Sequence, residues 1–194
     1  MTRPWTVVLV SGSTRAGSGN TAALLTAAAV APDGVRAVYY PGLADLPAFV
    51  PDGEQGPAVI TLREHLVAAD AVLLCTPEYA GTLPGSFKNL LDWTVGGGEL
   101  YGKPVAFINV AAPGRGGGAE ATLRVVLGYV AAEIIEDACT RVFVPRDTVG
   151  PDGLIADAAT RTALADVLAK IAAFLSTRSA PDLITPGAPG SPVA

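Results

Sequence analysis

The chain of 194 residues is half apolar, only 16% charged and carries a formal charge of −5, a balance that suits one compact domain with a sizeable core and excludes a disordered chain. It offers no basic field for a phosphate backbone, so nucleic acid is not an expected partner. The longest apolar runs, 7–10 and 71–75, are strand-sized and far short of the ~20 residues a membrane helix needs, and the first residues run into strand-like sequence without a cleavable leader pattern, which makes the cytoplasm the expected location.

Residues 6–10, β-branched or apolar throughout, predict a strand buried on both faces and ended by Ser11-Gly12-Ser13. Ser18 or Asn20 caps a helix over 21–31, which Pro32-Asp33-Gly34 stops. Residues 35–40 form a second strand. The long loop over 41–56, with Pro41, Pro47, Pro51 and Gly53, reads either as a lid or as a plain surface excursion. A helix over 58–69 carries His65, the single histidine, at an expected solvated position. A third strand over 71–75 leads through 76–81 to a helix over 83–93, with Pro84 in its first turn where the missing N–H costs nothing. Beyond a glycine-rich connection over 95–102 come a fourth strand (104–110), a glycine-rich loop (111–118), a helix (119–132) and a fifth, irregular strand within 134–144. The last helix spans 157–175, with Leu164, Leu168, Ile171 and Leu175 on one apolar face. Residues 177–194, holding Pro181, Pro186, Pro189 and Pro192, read as a Pro/Gly-rich tail after a domain of residues 1–176. Cys75 and Cys139 lie in apolar surroundings and read as small core residues.

Strands alternating with helices make the class α/β, with a parallel sheet covered on both faces. Ligands of such sheets bind beyond the carboxyl ends of the strands where strand order reverses, which selects the loops after strands one, three and four. The first loop, Ser11 through Thr21, combines hydroxyls, glycines and Arg15 directly before a helix. That composition suits a phosphate monoester as well as an ordinary capped turn. It matches neither the P-loop nor the three-glycine dinucleotide pattern. In the second loop, Thr76-Pro77-Glu78-Tyr79-Ala80-Gly81, backbone groups and Tyr79 offer a seat to a planar ring. Glu78 and Tyr79 also allow an acid–base reading or a plain turn reading. The third loop, with Gly114, Arg115, Gly116, Gly117 and Gly118, permits close backbone approach.

Gly12-Ser13-Thr14-Arg15 with Ser18 and Asn20, together with Pro77-Glu78-Tyr79-Ala80-Gly81 and the following Pro84-Gly85-Ser86-Phe87-Lys88-Asn89-Leu90-Leu91-Asp92-Trp93, resemble the NADPH-dependent FMN reductase family of flavin, quinone, azo-dye and chromate reductases. The likeness runs from about residue 6 through 175. It implies a flavodoxin-like three-layer sandwich with a five-stranded parallel sheet in the order 2-1-3-4-5. It further implies that Ser13, Arg15, Ser18, Gly19, Asn20 and Thr21 hold the FMN phosphate. Pro77, Glu78, Tyr79, Ala80 and Gly81 would line the ribityl chain and ring, and the third loop, with Ala112, Gly114 and Arg115, would follow the ring's far edge. Ala80 stands where many members have Asn, and Asn109 with Ala111 and Ala112 replaces a serine-bearing turn.

The implied activity is transfer of hydride from NADPH, or NADH, through FMN to a small acceptor such as a flavin, quinone, azo compound or metal oxyanion, with no catalytic side chain and no metal. Lys88, Asn89 and Asp92 fall where the resemblance implies a subunit contact in a homodimer or homotetramer, although an ordinary amphipathic helix has the same pattern. Two rival functions share the fold: a flavodoxin-type electron carrier without a nicotinamide site, and a flavin-free binding domain.

Overall fold

The computed structural model of the protein describes residues 3–179. Among them, one parallel sheet contains β1 (Trp5–Ser11), β2 (Val35–Tyr40), β3 (Ala71–Cys75), β4 (Pro104–Asn109), β5 (Glu133–Ile134) and β6 (Thr140–Arg141). The strand order is β2-β1-β3-β4-β5, with β6 also paired to β4. Strand order therefore reverses between β1 and β3, as expected of a flavodoxin-like domain. Helices α1 (Gly19–Ala29) and α5 (Ala158–Ser179) cover one face, while α2 (Pro57–Ala68), α3 (Gly85–Trp93) and α4 (Gly117–Tyr129) cover the other.

Period-two alternation divides each strand between two cores. Val7, Leu9, Leu73, Ala106 and Ile108 pack against Leu24 of α1 and Leu164, Leu168, Ile171 and Leu175 of α5. Val8, Val10, Val72, Leu74, Val105 and Phe107 meet Leu62 and Leu66 of α2, Phe87 and Leu91 of α3, and Leu123 and Leu127 of α4. Both faces being covered, the strands read in sequence as continuous apolar runs.

The fifth strand, expected as one irregular piece, is two dipeptides separated by a 3-10 turn at Glu136–Ala138. The acidic pair Glu136-Asp137 has no place in a ladder covered on both faces. The backbone bulges there and returns to β4: Ile135 N donates to Val105 O at 2.8 Å, and Val142 N to Asn109 O at 2.9 Å. Helix α5 continues to Ser179, beyond its expected end at 175 and the expected boundary at 176. Arg178 supports its last turn through Glu133 at 2.6 Å and lies 6.0 Å from the Phe174 ring. The remainder of the expected tail, 180–194, lies outside the described residues. Among the described residues no helix is long and apolar enough to cross a membrane.

The 41–56 segment, open to two readings in sequence, is bound to α3. Pro47 O accepts from both Asn89 Nδ2 and Trp93 Nε1 at 2.9 Å, and Phe49 N donates to Asn89 Oδ1 at 2.8 Å. The Phe49 ring meets Trp93 edge-on at 5.0 Å. His65 is half-buried rather than solvated, its ring set against Tyr40 at 5.4 Å and its Nδ1 2.8 Å from Thr61 O. Cys75 is buried, and burial pushes its thiol up; burial likewise pushes the half-buried Cys139 up to about 11. Neither thiol is a nucleophile near neutral pH.

Asn89→Ala removes two of the three hydrogen bonds that tie the long loop to α3, leaving the one from Trp93, and is expected to lower stability by about 1–2 kcal/mol, read by urea unfolding, with faster proteolytic nicking between residues 46 and 56. Asp70 accepts from both terminal nitrogens of Arg3 (2.6 and 2.7 Å) and from Thr6 N (2.8 Å). The Arg3 hydrogen bonds hold its carboxyl below the ordinary carboxylate value. A depressed folded value means that this contribution is fully present above the unfolded value of about 3.9 and is lost as pH falls through the lower folded one. The stability gap between wild type and Asp70→Asn, measured by urea unfolding at several pH values, should therefore close as the solution is acidified below about pH 4.

Candidate functional site

Strands of matched register end together. Ser11 stands beside Cys75, Cys75 beside Ile108, and Ile108 beside Thr140. The chain thus leaves four strands at one level, and the segments that follow enclose a cleft of about 600 Å³, a size usual for small-molecule sites. Its walls are Ser13, Arg15, Ser18, Gly19 and Asn20 of the first loop, Thr76, Pro77, Glu78 and Tyr79 of the second, Val110, Ala111, Ala112, Arg115 and Gly116 of the third, and Phe143, Val144 and Pro145 after β6.

Four of the residues expected from sequence do not line the cleft: Thr21, Ala80, Gly81 and Gly114. Thr21 Oγ1 lies 2.9 Å from Ser11 Oγ, tying α1 to β1. Ala80 and Gly81 form the tip of a hairpin, and Gly114, at φ 77°, turns the third loop. Sequence reasoning missed Phe143, Val144 and Pro145. The available signal was an aromatic residue flanked by two apolar ones just before a proline. Val142 and Val144 pack toward the core while Phe143 stays half exposed.

The first loop is organised by its own hydroxyls. Ser13 N donates to Ser11 Oγ, Arg15 N to Ser13 Oγ, and Asn20 N to Ser18 Oγ, which makes Ser18 the cap of α1. Cys75 Sγ donates to Asn20 Oδ1 at 3.3 Å, fixing that side chain against β3. A Cβ on Gly12 would come within 2.2 Å of Thr76 Oγ1, so the first and second loops meet with no room between them. Among the described residues, the amides of Thr14, Ala16, Gly17 and Ser18 have no intramolecular acceptor. Arg15 donates to Gly17 O at 3.3 Å and, among the described residues, meets no carboxylate. Free N–H groups, a guanidinium and a helix N-terminus together form a seat for an anion.

The third loop hangs from Asn109 at the end of β4, a nearly buried side chain. Its Oδ1 accepts from Ala111 N at 3.0 Å and its Nδ2 donates to Gly116 O at 3.2 Å. A Cβ on Gly116, at φ 79°, would come within 2.6 Å of that same Oδ1. Arg141 adds a tie from β6, donating to Arg115 O at 3.0 Å and to Glu120 at 2.6 Å. The Arg115 side chain lines the cleft without a partner among the described residues.

Glu78 is more than a plain turn residue. Helix α4 begins on Gly116 in a left-handed conformation, with no side-chain cap from its own segment. The missing acceptor comes from the second loop: Glu78 Oε2 accepts from Gly118 N at 2.6 Å and from Ala119 N at 3.1 Å. The Thr82 and Thr122 hydroxyls meet at 2.9 Å beside it. A Cβ on Gly118 would overlap Gly81 O at 2.0 Å. The second loop is thereby fastened to the first turn of α4.

A profile of the NADPH-dependent FMN reductase family matches residues 5–142. The chain is 38% identical to an NAD(P)H-dependent FMN reductase of Pseudomonas aeruginosa over 120 residues, 59% of this chain and 64% of that protein. It is 35% identical to a quinone reductase of Escherichia coli over 137 residues, 66% of this chain and 72% of that protein. Among solved structures, FerB of Paracoccus denitrificans, a flavoenzyme NAD(P)H:(acceptor) oxidoreductase, superposes with a TM-score of 0.76 at 26% identity, covering 89% of this chain and 98% of its own.

The hairpin at the tip of the second loop supplies a test of its own. Tyr79 and Thr82 exchange both backbone hydrogen bonds, and Ala80 and Gly81 stand at φ 51° and 76°, a turn that favours Asn or Gly at both central positions. Replacing Ala80 with Asn or Gly is expected to raise stability by about 0.5–1 kcal/mol, seen as a higher urea midpoint at unchanged slope.

Proposed function

The chain belongs to the NADPH-dependent FMN reductase family, and from that premise we propose how its cleft works as a flavin-dependent NAD(P)H oxidoreductase. The carrying observation is the contrast between two helix N-termini at one cleft. That of α4 is taken by the Glu78 carboxylate, whereas that of α1 adjoins four free amides and Arg15. The donor set fits a phosphate monoester at the first loop. The apolar walls from Pro77, Tyr79, Val110, Ala112, Phe143 and Val144 fit a planar ring beyond it.

In this reading Ser13, Arg15, Ser18, Gly19 and Asn20 hold the FMN phosphate. Pro77, Glu78 and Tyr79 flank the ribityl chain and ring through their backbone and the Tyr79 face, and Ala112 and Arg115 border the far edge. Thr21 acts behind them by fixing Ser11. Ala80, Gly81 and Gly114 shape the loops. FMN, when bound, supplies the hydride and electron chemistry. The protein's work is to seat it, to exclude water from one side, and to keep a mouth open between the half-exposed rings of Tyr79 and Phe143. We place NAD(P)H and a small acceptor, a flavin, quinone, azo compound or metal oxyanion, in turn at that mouth. Arg115 stands nearby as a cation for their anionic groups.

We place the enzyme in the cytoplasm, where reduced nicotinamide is available and its two free thiols stay reduced. A homodimer or homotetramer completes the reading. Val125 and Tyr129, one turn apart on α4 and 58% and 89% exposed, form the kind of apolar pair a second copy covers.

The first experiment is a visible spectrum of the purified protein after FMN is added and the excess removed, repeated anaerobically with NADPH. Flavin bands that bleach support the reductase. Retained flavin that does not bleach points to an electron carrier, and no retained flavin overturns the reading. Arg15→Ala is expected to weaken FMN about 10–100-fold while leaving riboflavin within about threefold, measured by quenching of flavin fluorescence.

A further inference from the structure

Resting on that reading of the cleft, we infer that the Glu78 side chain has a positioning role: by capping α4 it sets the spacing between the second and third loops, and hence the fit of the flavin ring, without its carboxylate itself bonding to the ligand. Three observations carry this. Its carboxylate spends one oxygen on Gly118 N and Ala119 N, 40 and 41 residues away in the chain. The approach leaves no slack, because a Cβ on Gly118 would overlap Gly81 O. The two segments it joins both line the cleft, the second loop through Pro77, Glu78 and Tyr79 and the third through Ala111, Ala112, Arg115 and Gly116.

The cap has a second effect. A helix N-terminus carries about half a positive charge, and two such ends adjoin this cleft. A carboxylate on α4 neutralises one of them, so an anionic ligand is drawn to α1.

The test compares wild type, Glu78→Gln and Glu78→Ala. FMN and riboflavin affinities are read by fluorescence quenching, amide exchange at Gly118 and Ala119 by NMR or mass spectrometry, and thermal stability in parallel. Glu78→Ala is expected to lose protection at those two amides and to weaken FMN and riboflavin by the same factor, about five- to tenfold or more. That pattern is opposite to the FMN-selective loss expected of Arg15→Ala. Glu78→Gln keeps an acceptor oxygen and should restore most of the riboflavin affinity. A cap that serves only helix stability would lower the melting temperature yet leave both affinities unchanged well below it, and that result overturns the inference. Should Glu78→Ala not fold, Glu78→Asp, whose shorter carboxylate cannot span the same gap, gives the same readouts. Wild-type protein that binds neither flavin overturns the proposed function together with this inference. Wild-type binding left untouched by loss of the cap overturns the inference alone.

Discussion

Ser11, Cys75, Ile108 and Thr140 stand side by side at the carboxyl end of the sheet because the parallel ladders pair them in that register, and every wall of the cleft is the continuation of one of these four strands. A slip of one residue in any ladder would exchange the two cores, since Val7 and Leu9 face α1 and α5 while Val8 and Val10 face the other helices. The burial that makes the register unique is thus what brings the loops to a common level. The hydrogen bonds of Asn109 and the Gly12–Thr76 contact refine a meeting that the sheet has already arranged.

Electrostatics then divides the molecule. The chain is acidic as a whole, yet the cleft carries Arg15 and Arg115 with no carboxylate against them among the described residues, and two acids of the neighbouring segments are committed elsewhere. Glu78 is held by the amides of α4, and Glu120 by Arg141 at 2.6 Å. A negative protein can in this way present a locally positive pocket, because a fixed partner at short range outweighs a diffuse net charge that salt screens over roughly 10 Å.

Much of this was legible in the residues. The third strand occupies its predicted 71–75 because an apolar run lies between Asp70 and Thr76, and Ser18 was already one of two candidate caps for α1. Local composition was enough to mark the first loop, since hydroxyls, glycines and an arginine before a helix act within a few residues of one another. Less legible were features that join distant segments. The cap from Glu78 to α4 spans 40 residues, and its trace was only an absence: a helix opening on glycines with no capping side chain of its own. Phe143 lay outside the loops selected by strand order, and Asn109 was read as the loss of a serine turn rather than as the residue from which the third loop hangs. The interruption of the fifth strand at Glu136-Asp137 followed from burial, which the segment's overall β-like character concealed.

That interruption has a bearing on misassembly. A sheet can be extended by a foreign strand only along an uncovered row of amides and carbonyls. On one side the β5–β6 border presents two residues at a time before the backbone bulges away, too short a template for a stable ladder. On the other side β2 presents six consecutive residues, rich in valine and tyrosine. Arg36, exposed on that strand with its guanidinium resting on Thr6 Oγ1 at 3.0 Å, sets a fixed charge near the start of the vulnerable row. Propensity to aggregate is therefore one-sided in this protein, and a single side chain stands guard over the side that matters.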